Sequence, residues 1–245
     1  MAQNGFHGLV GLWTAGKTAR WAPRAELAPW VAGVVVGAML PDVDLYPTAV
    51  IFLLGRHDLI YSVHRTLTHS LLLMLVVLAV GVVHRRRWFW WGLAAGMGTH
   101  TMLDIFFWFS PVDLFWPLSH FPHKAPLLPI IDLWKWVKLP PVFGNPAFIN
   151  NVLAAGDFAA LALYLGSLRG TMTRGGWAKA DAAAMHHWER ALWAAFVIAV
   201  GAAPALSGNA QQILVTTPLL TVFLPYCWSQ TWRLRETLAR GILQP

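Results

Sequence analysis

Residues 27–46 read Leu-Ala-Pro-Trp-Val-Ala-Gly-Val-Val-Val-Gly-Ala-Met-Leu-Pro-Asp-Val-Asp-Leu-Tyr. This stretch joins an apolar run of helical length to two acidic residues, Asp42 and Asp44. A transmembrane helix needs about 20 mostly apolar residues, so the stretch predicts a membrane span with a polar group at one end. Pro41 disfavours helical geometry at the residue before it, which predicts that the helix ends or bends there.

The spacing of the two acidic residues favours a metal site over a loop with solvated acids. In an extended stretch Asp42 and Asp44 would point to the same side, because side chains alternate with period two. Two carboxylates at such a short distance repel each other unless a cation or a proton lies between them. We therefore predict that Asp42 is a metal ligand and that Asp44 is a second ligand or a general base.

The whole chain has the composition of a membrane protein. Of its 245 residues 57% are hydrophobic and 12% are charged, whereas an ordinary soluble domain is about 25% charged. A soluble fold of this size cannot bury so much apolar surface, and a single cysteine, Cys227, excludes a disulfide scaffold. We predict an all-α, polytopic membrane helical bundle with six strong transmembrane spans and a seventh, weaker and shorter one. The six are Leu27–Tyr46, Leu67–Val83, Trp88–Phe109, Ala147–Leu168, Ala191–Leu206 and Ile213–Trp228, and the seventh runs from Gly5 to Trp21.

The basic residues predict the orientation of these spans. The formal net charge is +7, and thirteen Lys and Arg residues fall in one set of loops against five in the other. Cytoplasmic loops carry the excess of Lys and Arg, so the richer side is predicted to be cytoplasmic. Basic patches also bind nucleic acid, but short clusters between apolar runs are typical of the cytoplasmic loops of membrane proteins. We expect an integral protein of a bacterial inner membrane and no nucleic-acid partner.

No boundary between independent domains is evident, so residues 1–245 are predicted to form one integral-membrane domain. Residues 1–120 bear the motifs, and residues 147–245 supply supporting helices. The loop of residues 110–146 falls on the outer side, and its prolines and tryptophans predict an interfacial cap of short pieces.

A second polar motif, His-Arg-Thr-Leu-Thr-His-Ser, occupies residues 64–70 at the outer start of the next predicted span. Neutral imidazole is a good ligand for zinc, which makes His64 and His69 candidate ligands. Arg65 offers a rigid fork of donors that matches phosphate or carboxylate. Thr66 or Thr68 could instead serve as the N-cap of the following helix.

A third motif lies inside a predicted span, where ionisable residues are costly and therefore candidates for function. His100 and Asp104 are four residues apart and face the same way on a helix. They could share a metal or form a hydrogen bond that joins two helices. The predicted orientation brings all three motifs to the same membrane face, which favours ligation, and His7 joins them if the N-terminus lies outside.

These motifs, in this order, resemble the YdjM-like family of membrane-bound metal-dependent hydrolases. The resemblance rests on a histidine near the N-terminus, Leu-Pro-Asp-x-Asp at 40–44, His-Arg-x-x-Thr-His-Ser at 64–70 and Gly-x-x-x-His-x-x-x-Asp at 96–104. That family is in turn distantly similar to zinc-dependent phospholipases C and related nucleases, which are all-helical and hold zinc through His and Asp residues. The resemblance implies ligand roles for His7, Asp42, His64 or His69, His100 and Asp104.

The sequence thus predicts a hydrolase of a phosphoester that depends on one or two divalent ions, with zinc expected. Arg65 would bind the phosphate and stabilise its developing charge, and the substrate would be a phospholipid or a lipid-linked phosphate at the outer, periplasmic face. The alternative is a non-enzymatic membrane protein, either a metal or proton translocator or a lipid-binding partner subunit, since translocators also place ionisable residues in spans.

Overall fold

The computed structural model describes residues 4–56, 59–107, 112–118, 146–176, 179–205 and 217–243. Every regular element in these ranges is helical, so the all-α prediction is confirmed. The helices are α1 (Asn4–Thr18), α2 (Leu27–Met39), α3 (Leu45–Leu53), α4 (Ile60–Val63), α5 (Leu71–Val83), α6 (Arg87–Phe107), α7 (Pro146–Arg174), α8 (Lys179–Ala202), α9 (Leu224–Arg233) and α10 (Arg235–Leu243). Most of the predicted outer cap, residues 119–145, lies outside the described residues.

Contacts divide the chain into two compact units. One unit comprises residues 10–129, which we call the motif unit, and the other comprises residues 1–9 and 130–244. In the second unit α7 and α8 pack together, and Arg169 forms an ion pair with Glu189 at 2.9 Å. The motif unit contains α2, α5 and α6, which carry or adjoin the sequence motifs.

The predicted count of six membrane spans is not supported. Among the described residues, one helix is long and apolar enough to cross a membrane, namely Asn151–Arg174 within α7. The bent pair Arg24–Met39 and Pro41–Leu53 makes a second span if it is counted as one. The 13 residues of α5 rise about 20 Å, less than the hydrocarbon core of about 30 Å. The predicted span Leu67–Val83 was too long, because it included the 3₁₀ turn that precedes this helix.

Pro41 bends the chain between α2 and α3, as predicted. The helical ladder of α2 ends at Met39, and a 3₁₀ turn follows at Pro41–Asp44. The helical segments on the two sides of this break are bent by 42° relative to each other. Asp42 and Asp44 therefore lie in a tight helical turn, so the prediction of extended backbone was wrong. Both side chains are nevertheless buried.

The α2–α6 interface depends on four glycines with a spacing of four residues. Gly33 and Gly37 of α2 face Gly92 and Gly96 of α6, and a Cβ at any of them would overlap backbone atoms of the opposite helix. Small residues at this spacing allow the backbones of two membrane helices to approach closely. On α6 the next residue at the same spacing is His100, so the glycines bring this imidazole against α2.

Candidate metal centre

Four of the predicted ligands converge in the motif unit. They are Asp42, His69, His100 and Asp104, and the structure leaves none of the four exposed. Asp42 comes from the turn after α2, and His69 ends the 3₁₀ turn before α5. His100 and Asp104 occupy successive turns of α6. Three separate segments thus deliver two imidazoles and two carboxylates to one place.

The distances between their ligand atoms fit a single small cation. The Nε2 atoms of His69 and His100 are 3.1 Å apart, and Oδ2 of Asp104 lies 3.3 Å from the first and 3.7 Å from the second. Oδ1 of Asp42 lies 3.6 Å from His100 Nε2 and 4.0 Å from His69 Nε2. A tetrahedral zinc ion with bonds of about 2.0–2.1 Å separates its ligand atoms by about 3.3 Å.

The hydrogen bond of His100 indicates which of its nitrogens can bind a cation. Nδ1 lies 2.7 Å from the carbonyl oxygen of Ala38, and a carbonyl can only accept, so Nδ1 carries the proton. In the neutral ring Nε2 then presents a lone pair towards Nε2 of His69. Because two lone pairs at this distance repel, the space between the rings requires a proton or a cation.

Asp42 provides an independent test of whether a metal fits. Both of its carboxylate oxygens are buried, and no described residue donates a hydrogen bond to either. A buried carboxylate without donors is costly unless an opposite charge compensates it. A divalent cation bound by the four residues would supply that charge, so the donor set fits a metal.

Asp44 has a different environment from Asp42, because three donors surround its oxygens. Oδ1 accepts from His64 Nδ1 at 2.7 Å, and Oδ2 accepts from the amide of Arg65 at 2.9 Å and from the hydroxyl of Thr68 at 2.7 Å. Ligand atoms of Asp42, Asp44 and His64 also lie within 4.8 Å of one another. In this second group, however, the oxygens of Asp44 are already engaged, and His64 Nε2 accepts from Arg65 Nε at 3.3 Å.

The N-cap of α5 is Ser70, whose hydroxyl accepts from the amide of Leu73 at 3.2 Å. The interpretation of Thr66 or Thr68 as this cap was therefore wrong. The hydroxyl of Thr66 donates to the carbonyl of Val63, and that of Thr68 donates to Asp44.

Arg65 lies at the edge of the ligand cluster in an unusual backbone conformation. Its Nε is 3.5 Å from Oδ2 of Asp104, and its side chain is buried. Its φ of +67° lies in the left-handed region, which L residues rarely adopt. Hydrogen bonds fix the flanking peptide groups: the amide of Arg65 donates to Asp44, and its carbonyl accepts from the amide of Asp113 at 3.0 Å. This conformation directs the guanidinium towards the ligands.

Two histidines of the turn before α5, outside the spanning helices, have shifted pKa values. Burial by itself lowers the pKa of His69, but the hydrogen bonds with Asp104 and Asp44 outweigh it and raise the pKa to about 9. Burial lowers the pKa of His64 despite its hydrogen bond with Asp44. In the metal-free protein His69 therefore holds a proton at neutral pH, where the cation would otherwise lie.

His7 is fully buried in α1. It belongs to the unit of residues 1–9 and 130–244, so its role as a ligand stays a prediction. Two histidines of the predicted outer cap, His120 and His123, lie outside the described residues.

Sequence reasoning missed the glycines and the acceptors of the histidines. The repeats Gly33-x-x-x-Gly37 and Gly92-x-x-x-Gly96 are legible in the sequence and could have paired α2 with α6. Nothing in the sequence indicated which groups face the Nδ1 atoms of the histidines. These groups are the carbonyl of Ala38 for His100 and the hydroxyl of Thr68 for His69.

The comparison with curated proteins and the comparison with solved structures each found no match. The sequence model of the YdjM inner membrane protein family matches residues 1–210, which is most of the chain, and the protein therefore belongs to this family of inner membrane proteins.

Proposed function

We propose that the protein is a metal-dependent hydrolase that cleaves a phosphoester in a phospholipid or a lipid-linked phosphate. The observation that carries the proposal is the convergence of Asp42, His69, His100 and Asp104 at ligand distances, with the guanidinium of Arg65 beside them. A cation site next to a buried arginine suits a substrate that carries a phosphate, because both groups stabilise negative charge.

Zinc suits this set of imidazole and carboxylate donors. A bound divalent ion would polarise a phosphoryl oxygen and lower the pKa of a water molecule, which is the chemistry that phosphoester hydrolysis needs. Catalytic zinc sites have three protein ligands and one open position. His69, His100 and Asp104 form such a set of three, and Asp42 beside them supplies the fourth ligand or accepts a proton from water.

Arg65 would bind the phosphate. Its guanidinium is a rigid fork of donors that matches phosphate oxygens, and its Nε already lies within 3.5 Å of a ligand carboxylate. His64, whose side chain is 14% exposed, is the member of the cluster most open to solvent. We therefore expect the substrate to approach from the side of His64 and Arg65.

Support for a site near the outer face comes from the lengths along α6. Arg85, Arg86 and Arg87 are exposed at the turn between α5 and α6, and arginines are typical of the cytoplasmic surface. From Arg87 the helix rises about 20 Å to His100 and about 25 Å to Asp104. The hydrocarbon core is about 30 Å thick, so an α6 that crosses the bilayer would carry the ligands to a depth near the opposite headgroups.

The alternative of a metal or proton translocator has less support. A translocation path needs polar groups along much of the bilayer depth. Among the described residues of the motif unit, the buried charged side chains all belong to this cluster or adjoin it, namely Asp42, Asp44, Arg65, His69, His100, Asp104 and Asp113. Their concentration at one place favours a one-sided site over a conduit.

Elemental analysis of purified protein tests the metal site. We expect bound zinc in the wild type and its loss in His100→Ala and Asp104→Ala, because each substitution removes a ligand. His84→Ala, which changes an exposed histidine at the end of α5, should retain the metal. Equal metal content in all four proteins would contradict the proposal.

Turnover is the second part of the test. Vesicles that contain phospholipid or polyprenyl phosphate should release hydrolysis products with the zinc-loaded wild type and not with His100→Ala. Ion transport into sealed vesicles without any hydrolysis would instead support the translocator.

A further inference from the structure

The hydroxyl of Thr68 lies between a carboxylate and an imidazole of the candidate site. Its oxygen is 2.7 Å from Oδ2 of Asp44 and 3.0 Å from Nδ1 of His69. Nδ1 of His69 is also 3.5 Å from the same carboxylate oxygen. All three side chains are buried or half-buried, so these hydrogen bonds have little competition from water.

We propose that Thr68 and Asp44 are positioning residues that fix the tautomer of His69 and aim its Nε2 at the cation. The proposal rests on the metal site of the proposed function and assigns Asp44 a role other than ligand or general base.

The direction of the two hydrogen bonds follows from their chemistry. A hydroxyl has one proton, and a carboxylate can only accept, so Thr68 donates to Asp44. The lone pairs of Thr68 are then free to accept, and the proton between Thr68 and His69 must come from Nδ1 of the ring. With the proton on Nδ1, Nε2 is left with a lone pair on the side of His100 and Asp104.

The other contacts of Asp44 support a positioning role. Its Oδ1 accepts from His64, and its Oδ2 also accepts from the amide of Arg65. Both oxygens are thus occupied by donors of the 64–70 segment, whereas the oxygens of Asp42 accept no hydrogen bond from any described residue. Two carboxylates only two residues apart therefore have separate tasks: Asp42 faces the cation, and Asp44 orients the residues around it.

Hydrogen bonds to metal-bound histidines change metal affinity by a known order of magnitude. The partner of the second ring nitrogen fixes the tautomer and the ring orientation, and its loss costs about 10- to 100-fold in metal affinity. We expect an effect of this size when the hydroxyl of Thr68 is removed while the size of its side chain is kept.

The test measures cobalt(II) affinity and the visible absorption of the bound cobalt in full-length protein. Thr68→Val removes the hydroxyl with little change in size and should weaken binding about 10- to 100-fold. Thr68→Ser restores the hydroxyl and should bind within about threefold of the wild type. Thr99→Val is the matched control, because the Thr99 hydroxyl donates only to the carbonyl of Ala95 within α6, and its affinity should not change.

Asp44→Asn is a second variant with almost no change in shape. The amide of Arg65 still needs an acceptor at the position of Oδ2, so the new NH2 group takes the place of Oδ1 and Thr68 keeps a neutral, weaker acceptor. Thr68 then holds the proton on Nδ1 of His69 less firmly, and His64 loses its acceptor. We expect weaker cobalt binding and an altered cobalt spectrum, together with a lower unfolding temperature of the metal-free protein, because the substitution removes a buried charge that accepts from three donors.

The outcomes separate this inference from the proposed function. Wild-type affinity and spectrum in both Thr68→Val and Asp44→Asn would overturn the positioning role and leave the hydrolase proposal intact. The expected loss of affinity in a protein that hydrolyses no phosphoester would support the positioning role and contradict the hydrolase. Failure of the wild type to bind cobalt or zinc would overturn both.

Discussion

The imidazole of His69 would connect proton binding and metal binding in the proposed metal site. Its pKa is raised to about 9 in the metal-free protein, because the hydrogen bonds with Asp104 and Asp44 outweigh its burial. A cation between His69 and His100 needs the lone pair that this proton occupies. Metal binding must therefore release the proton.

We predict that the zinc affinity rises about tenfold per pH unit between pH 7 and pH 8.5, because one proton competes with the metal below the pKa of His69. Calorimetry at pH 7.5 in two buffers with different ionisation enthalpies should detect the release of about one proton per zinc ion. An affinity that is independent of pH in this range would contradict a ligand role for His69.

The same shift has the opposite sign for the stability of the metal-free fold. A histidine whose folded pKa is raised stabilises the fold below its unfolded pKa of about 6.5. This contribution is lost as the pH rises through about 9. Metal-free and zinc-loaded protein should thus diverge in stability as the pH rises.

Single residues also mark the limit of what the sequence could predict. The sequence could predict the candidate ligands, because histidines and acids are unusual beside apolar runs. These ligands are Asp42, His69, His100 and Asp104. The different environments of Asp42 and Asp44 could not be predicted, because they depend on which donors the 64–70 segment brings to each carboxylate.

The glycines of α2 and α6 make the clearest prediction for a helix pair. A Cβ at Gly96 would overlap the carbonyl of Val34, so Gly96→Ala must push the helices apart and draw His100 away from the carbonyl of Ala38. We expect a loss of about 1–3 kcal/mol in stability together with a loss of bound zinc, measured by thermal unfolding and elemental analysis.

Gly98→Ala is the control for this prediction. It lies on the same helix, but a Cβ there meets nothing within 4 Å. Alanine is a better helix former than glycine by up to about 1 kcal/mol, so stability should be unchanged or higher and zinc should be retained. An equal loss in both variants would mean that the close contact of the helices does not position His100.

The predicted helices were right in kind and often wrong in extent. Apolar runs gave the sites of α2, α5, α6 and α7, because helical periodicity and hydrophobicity are local properties. They did not reveal that α5 begins at Leu71, four residues after the predicted start, or that α8 begins at Lys179, twelve residues before the predicted span. Those boundaries depend on hydrogen bonds and packing, so a hydropathy window overestimates the number of spans.

The topology of the whole molecule is tested by labelling with a membrane-impermeant maleimide. Leu118 is 88% exposed and follows the segment that contacts Arg65, while His84 is exposed at the other end of α5. We predict that Leu118→Cys reacts in intact spheroplasts and that His84→Cys reacts only after permeabilisation. The native Cys227 is buried and should give little background. The reverse pattern would place the site at the cytoplasmic face.

At the scale of the chain, the sequence predicted the class of fold and the location of the motifs. It did not predict the division into units of residues 10–129 and of 1–9 with 130–244. Such a division follows from contacts between residues distant in sequence, which composition and spacing do not encode.

The close contact of the glycine backbones holds α2 directly against α6, and it therefore fixes His100 and Asp104 in place. His69 belongs instead to a short turn held by individual hydrogen bonds, such as those of Thr68 and Ser70. In the proposed metal site, an ion that enters or leaves would displace this turn before it displaces the helices. The rate of cation exchange should thus follow the local opening of residues 64–70, which hydrogen exchange of their amides would measure. It should not depend on transient separation of α2 and α6.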